Sequence, residues 1–210
     1  MRFEEEQKKI LEAEIIIGTN KHLGSTNWIR NLAPLTPNYY DKCISLIKNE
    51  GLWLEFGVYN GRTINYISSK TNQTVYGFDC FEGIPIASAP WHKGHYTLNG
   101  FIPRVNKNVE LIVGLFEATL DKFLKEHPEN MAYIHVDCDV YPSTKTVFDK
   151  LKNRIIRGTV ISFDEICNYP EYKEGELKAW LEFINDTGLK YNWVYRGGKA
   201  KCEQATCIIL

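Results

Sequence analysis

The sequence has no long apolar run. Nowhere does it approach the roughly 18 consecutive apolar residues that a membrane-spanning helix requires, and its first ten residues carry Glu4, Glu5, Glu6, Lys8 and Lys9. Neither a membrane span nor a signal peptide is therefore expected. Charge of one sign is also missing: 25 Lys and Arg stand against 26 Asp and Glu, for a net charge of −1. That balance offers no electrostatic footprint for nucleic acid or an anionic membrane surface, so a small-molecule partner is expected instead. There is no CxxC pair. The six cysteines, Cys43, Cys80, Cys138, Cys167, Cys202 and Cys207, are scattered, several beside apolar runs where a free thiol acts as a small buried hydrophobe. A reduced, cytoplasmic protein is the expectation. Internal repeats, low-complexity tracts and Ser/Pro/Gly linkers are absent too, and 210 residues with 44% hydrophobic content suit one core and one compact unit.

What the chain does have is alternation. Short apolar runs at Leu52–Phe56, Thr74–Phe78, Val109–Val113, Met131–Val136 and Thr159–Phe163 are separated by longer stretches with apolar residues three and four apart. Those stretches are Gly61–Lys70, Leu115–His127, Ser143–Arg154 and Gly175–Thr187, and the pattern is that of βαβ units with helices on both faces. Leu189–Tyr195 and Gln204–Leu210 flank the turn-forming Arg196-Gly197-Gly198-Lys199 and predict a hairpin. The predicted fold is thus α/β: a doubly wound, mostly parallel, seven-stranded, Rossmann-like sheet with a C-terminal antiparallel hairpin. Helices are predicted at Phe3–Ile15 and Pro37–Lys48, within residues 1–49, as a cap on the sheet or a contact in a homo-oligomer. Residues 86–108 are too long for an ordinary connection, and Trp91, Tyr96 and Phe101 within them predict a lid.

The first strand runs into Glu55-Phe56-Gly57-Val58-Tyr59-Asn60-Gly61-Arg62-Thr63 and then a helix. Glycines at such a turn let a ligand approach the backbone, and the helix start favours a carboxylate such as that of methionine. A tight turn without any ligand uses the same residues. Asp79 follows Gly57 by 22 positions (79 − 57) and ends the second strand, where a carboxylate commonly accepts ribose hydroxyls. The glycine pattern is GxxxG rather than the GxGxxG that a pyrophosphate prefers, so S-adenosylmethionine fits better than NAD. Asp137, Asp139, Asp164 and Glu165 collect at the ends of the fourth and fifth strands. Their repulsion calls for a cation, a shared proton or a helix N-terminus, and Mg²⁺ would serve while acidifying a substrate hydroxyl. The alternative is that Asp137 and Asp139 cap a helix while Asp164 and Glu165 face water. Asp139 is a candidate general base. His135 is expected to be structural, and His92 and His95 are lesser candidates on the lid.

Four ordered motifs carry a resemblance. They are Leu54–Thr63, Val75–Pro85, His135–Thr144 and Phe163-Asp164-Glu165, and over residues 52–210 the chain resembles the macrocin and mycinamicin O-methyltransferase family. The resemblance implies a class I methyltransferase domain at 50–210, S-adenosylmethionine as donor, and Mg²⁺-assisted methylation of a hydroxyl on a sugar or other polar small molecule. By position it implies a donor site of Glu55, Gly57, Tyr59, Gly61, Thr63, Asp79, Gly114, Phe116 and Asp137. It implies metal ligands at Asp137, Asp164 and Glu165, and catalytic roles for Asp139, Asp164 and Glu165. The Asp164-Glu165 pair departs from the two aspartates usual in characterised members. Competing readings are a nucleotide- or NAD-dependent enzyme on the same sheet and a non-catalytic binding protein that keeps the fold.

Overall fold

A computed structural model describes residues 2–16, 37–88, 90–197 and 203–210. The chain order is α1 (Phe3–Glu12), β1 (Glu14–Ile15), α2 (Pro37–Ser45), β2 (Leu52–Phe56), α3 (Arg62–Ser68), β3 (Val75–Asp79), β4 (Val109–Val113), α4 (Phe116–Glu126), β5 (Met131–Val136), α5 (Tyr141–Leu151), β6 (Val160–Phe163), a 3₁₀ turn (Tyr172–Glu174), α6 (Glu176–Thr187), β7 (Tyr191–Gly197) and β8 (Gln204–Ile209). The strands form one sheet in the order β1-β7-β8-β6-β5-β2-β3-β4. All neighbours are parallel except β8, which runs antiparallel to both β6 and β7. The hairpin that ends the chain is thus present. Its turn falls partly outside the described residues.

Two expectations need correction. The sheet has eight strands among the described residues rather than seven. The first helix ends at Glu12 instead of reaching Ile15, because Glu14 and Ile15 pair with Tyr195 and Arg196 at the sheet edge. A two-residue strand is too short to show any alternation, so nothing local marks it.

Every residue of β2, β5 and β6 is buried. A parallel strand covered by helices on both faces needs apolar side chains on both sides, and Leu52-Trp53-Leu54 and Met131-Ala132-Tyr133-Ile134 supply them. The period of two then sorts the side chains into two cores. Leu54, Phe56, Ile134, Val136, Ile161 and Phe163 pack with α1, α4, α5 and α6 on one face. Trp53, Val75, Ala132, Tyr133 and Val160 pack with α2 and α3 on the other. Trp180 of α6 anchors the first core, its ring 5.4 Å from Phe148 and 5.5 Å from Phe163. At the opposite edge from the strand C-termini, buried Glu6 of α1 accepts hydrogen bonds from Tyr191 Oη at 2.5 Å and Trp193 Nε1 at 2.6 Å, tying α1 to β7.

Among the described residues no helix is long and apolar enough to cross a membrane. Cys43, Cys80, Cys138, Cys167 and Cys207 are free thiols, and all but Cys80 are buried. Burial holds the Cys43 thiol up at about 12.

Candidate active site

The same alternation that builds the second core also selects which polar residues meet. Register pairs Gly77 with Glu55, Glu55 with His135, His135 with Ser162, and Ser162 with Thr206. These positions share the α2/α3 face of the sheet. Two residues further along their strands lie Asp79, Gly57, Asp137 and Asp164, at the C-terminal edge where open α/β sheets take ligands.

Asp79 grips the loop that leaves β2. Its Oδ2 accepts from the backbone amides of Val58 at 2.8 Å and Tyr59 at 2.7 Å, and its Oδ1 accepts from Phe81 at 2.7 Å. The loop is held in an unusual path: Gly57 has φ +90°, Tyr59 φ +47° and Gly61 φ +78°. Asn60 Oδ1 takes the amide of Arg62 at 3.1 Å, and Thr63 follows in the first turn of α3. Gly114, φ +140°, donates to the carbonyl of Asp79 at 3.0 Å, and Phe116 packs edge-on against Phe56 at 5.3 Å. Below the loop Glu55 is fully buried with no partner on either carboxylate oxygen. Burial, then the charges of Asp164 and Asp79, push its carboxyl well above the usual range.

The acidic cluster lies beside it. Burial first, then Asp164 and other carboxylates, push Asp137 well above the usual carboxylate range, and burial with Asp164 and Asp79 lifts Asp139 to about 8. Asp139 sits at φ +61°, left-handed backbone that a non-glycine residue rarely adopts. Neither aspartate caps α5: its N-cap is Val140, with no side-chain hydrogen bond. Cys138 between them donates its amide to Glu176 Oε1 at 3.0 Å, so buried Glu176 at the start of α6 fixes the Asp-Cys-Asp loop from the opposite layer. Asp164 Oδ1 accepts from Tyr40 Oη at 3.4 Å and from Gln204 Nε2. A ring nitrogen of His135 and carboxylate oxygens of Asp137 and Asp164 lie within 4.8 Å of one another, close enough to share a cation. Glu165 is outside that trio, although its charge acts on Asp137, Tyr96, Tyr169 and Glu176.

Aromatic side chains of the 86–108 segment pack against the loop after β2. Tyr96, at φ +58°, lies 5.4 Å from the Tyr59 ring and 5.3 Å from Trp91. Its hydroxyl is pushed up by burial and then by Asp139, Glu165, Asp137 and Asp164. Buried polar atoms without partners recur here: Trp91 Nε1, His95 Nδ1 and Tyr169 Oη. The segment read as a lid is anchored at both ends. Ile84 and His95 join by a 2.9 Å backbone bond, and Asn106 donates its amide to Asn65 of α3 at 2.7 Å.

The structure therefore brings Glu55, Gly57, Tyr59, Gly61, Thr63, Asp79, Gly114 and Phe116 around one loop, and Asp137, Asp139, Asp164 and Glu165 beside it. Sequence reasoning missed four participants. His135 was readable from its spacing of two from Asp137, which puts both on one face. Glu176, Tyr40 and Gln204 carry no local signal, because long-range packing alone brings them to the cluster.

Comparison with known proteins adds independent information. Residues 54–166 match a family described as "Methyltransferase domain". Among solved structures the chain is similar to CalS11, a calicheamicin methyltransferase, with TM-score 0.65, 19% identity, and 80% of this chain and 76% of that one covered. A second CalS11 structure, of the apo form, describes that enzyme as a TDP-rhamnose 3′-O-methyltransferase. The O-methyltransferase NovP matches at TM-score 0.59 and 17% identity over 82% and 78% of the two chains. An O-methyltransferase from Bacillus cereus in complex with SAH matches at 0.56 and 17%, over 85% and 83%. At these identities the likeness speaks for the fold. No curated protein matches the chain.

Proposed function

The chain belongs to the methyltransferase-domain family, and from that premise we propose that it transfers the methyl group of S-adenosylmethionine to a hydroxyl of a sugar or other polar small molecule. The observation that carries the reading is the meeting of the Gly57–Gly61 loop, held by Asp79, with the carboxylate cluster on one face at one sheet edge. The finer likeness to the macrocin and mycinamicin enzymes belongs to the same proposal. It is supported by the sugar methylation described for CalS11.

In this reading Glu55, Gly57, Tyr59, Gly61, Thr63, Asp79, Gly114, Phe116 and Asp137 surround the donor. A carboxylate offers about four acceptor sites. Three of those on Asp79 are taken by amides, which leaves one for a ribose hydroxyl. The positive φ of Gly57 and Gly61 shapes the loop against which the methionine portion would lie. The acceptor oxygen attacks the sulfonium methyl in line: an O–C bond forms, the S–C bond breaks, and sulfur keeps the electron pair. The hydroxyl proton passes to Asp139, while Asp164 and Glu165 orient the acceptor. Most of the acceleration comes from positioning, because the sulfonium is already reactive. A dication at the acidic cluster, read from the sequence as Mg²⁺ on Asp137, Asp164 and Glu165, would supply acidification of the acceptor hydroxyl; the trio that meets in the structure has His135 in place of Glu165. Tyr96 and Trp91 cover the site against water. Within residues 1–49, α1 and α2 act as a cap on the sheet.

The test is the melting temperature of the purified protein with S-adenosylhomocysteine, in wild type and Asp79→Ala, since a ligand bound only by the folded state raises it. An upward shift in wild type that Asp79→Ala loses supports the donor site. No shift in wild type, or a shift with NAD instead, overturns it.

A further inference from the structure

We infer that the cation site of this protein is a one-histidine, two-carboxylate site for a first-row transition-metal dication of the Mn²⁺ and Fe²⁺ class, built from His135, Asp137 and Asp164. Three separate features of the fold lead there. The first is convergence: the ligand atoms of these three residues lie within 4.8 Å of one another. It follows from register, since His135 pairs with Ser162, and Asp137 and Asp164 stand two residues beyond each on the same face. Glu165, one residue further, belongs to the opposite parity and is not in the trio.

The second feature is an orphaned atom. His135 is fully buried, and its Nε2 has no partner. Leaving a buried nitrogen unpaired costs about 1–3 kcal/mol, and a cation bound by this imidazole beside Asp137 and Asp164 would give it a partner. Nδ1 is held 3.0 Å from Ser162 Oγ, which in turn lies 2.6 Å from Tyr133 Oη. The tautomer with Nδ1–H donating to that hydroxyl leaves the Nε2 lone pair for a cation. Metal-binding imidazoles are oriented in this way by a hydrogen bond at the other ring nitrogen. The Tyr40 ring closes the remaining side at 5.4 Å, edge to face.

The third feature is support for the carboxylate. Tyr40 Oη and Gln204 Nε2 both donate to Asp164 Oδ1, fixing the headgroup as hydrogen-bond donors behind a ligand do at metal centres. Two carboxylates neutralise a dication, and the neutral imidazole decides its class. Mg²⁺ prefers oxygen ligands and keeps its waters, whereas imidazole suits Mn²⁺, Fe²⁺ and their heavier neighbours.

The site is shared with the proposed methyl transfer and rests on that reading for its role, but binding is measured apart from turnover. Mn²⁺ is titrated into the purified full chain, and loss of the free-ion electron paramagnetic resonance signal is followed with Mg²⁺ as competitor. One Mn²⁺ per chain, held about tenfold or more tightly than Mg²⁺, is the expected result, with binding weakened about tenfold or more in His135→Asn and little changed in Glu165→Gln. Should His135→Asn fail to fold, spin-echo modulation from a coordinated ¹⁴N in wild type gives the answer without a variant. Absence of that modulation, equal displacement by Mg²⁺, or loss of binding in Glu165→Gln with retention in His135→Asn overturns the proposal in favour of an all-carboxylate site. No stoichiometric binding of either ion overturns it altogether. Mn²⁺ binding without a melting shift from S-adenosylhomocysteine would sink the methyltransferase reading and leave the metal site standing.

Discussion

Gly57 lies directly beneath the carbonyl oxygen of Asp137: a Cβ added to Gly57 would stand 1.8 Å from that oxygen. The close approach welds the donor loop to the acidic loop, and φ +90° at Gly57 adds a second reason for glycine. Gly57→Ala is expected to lower unfolding free energy by more than about 2 kcal/mol, from strain and displaced backbone together. Urea denaturation measures it, and S-adenosylhomocysteine should no longer raise the melting temperature. An alanine variant of wild-type stability would show that the two loops are not locked together.

Asp79 is structural as well as a candidate for the ribose. Removing its carboxylate orphans the amides of Val58, Tyr59 and Phe81. At about 1 kcal/mol or more for each bond lost, Asp79→Ala should cost about 2–4 kcal/mol. Asp79→Asn, which keeps one acceptor oxygen, should fall between the two. Denaturant midpoints for the three proteins check the order, and a ligand-only role predicts no stability change in either variant.

Glu176 makes stability depend on pH. Burial first, opposed by the Cys138 amide and reinforced by Glu165, Asp139 and Asp164, holds its carboxyl well above the ordinary 4.5. A carboxyl with a raised folded-state pKa favours the fold fully only below the unfolded value. Stability therefore declines as pH rises from about 4.5 toward the folded-state pKa. Glu176→Gln keeps an oxygen for the Cys138 amide and cannot ionise. Melting curves from pH 5 to 8 should fall less steeply for Glu176→Gln than for wild type, and parallel curves would refute the assignment.

Trp180 separates stability from function. It is fully buried and its ring meets Phe148, Phe163, Phe183, Tyr191 and Trp193 on the face away from the acidic cluster. Trp180→Ala should cost about 3–5 kcal/mol. At a temperature where the variant remains folded, its dissociation constant for S-adenosylhomocysteine should match that of wild type. A large change would mean that the first core supports the site directly.

Local sequence by itself determined the elements whose physics is local. Met131–Val136 is a strand at the bounds its apolar run marks, because a strand buried between helices must be apolar on both sides, and Val109–Val113 keeps its predicted bounds as the partly exposed edge strand. The glycines after β2 and the acid ending β3 were legible for the same reason: a sharp strand-to-helix turn and a strand-end carboxylate sit at spacings set by one βαβ unit. Tertiary structure alone decided the rest. Glu14 and Ile15 become a strand only because β7 offers them an unpaired edge. His135 joins Asp137 and Asp164 only because β5 and β6 pair in one register, and a slip of one residue would turn these side chains to the other face. Glu176 reaches the Asp-Cys-Asp loop across 38 residues of chain. Such contacts depend on how layers stack, which no window of sequence contains.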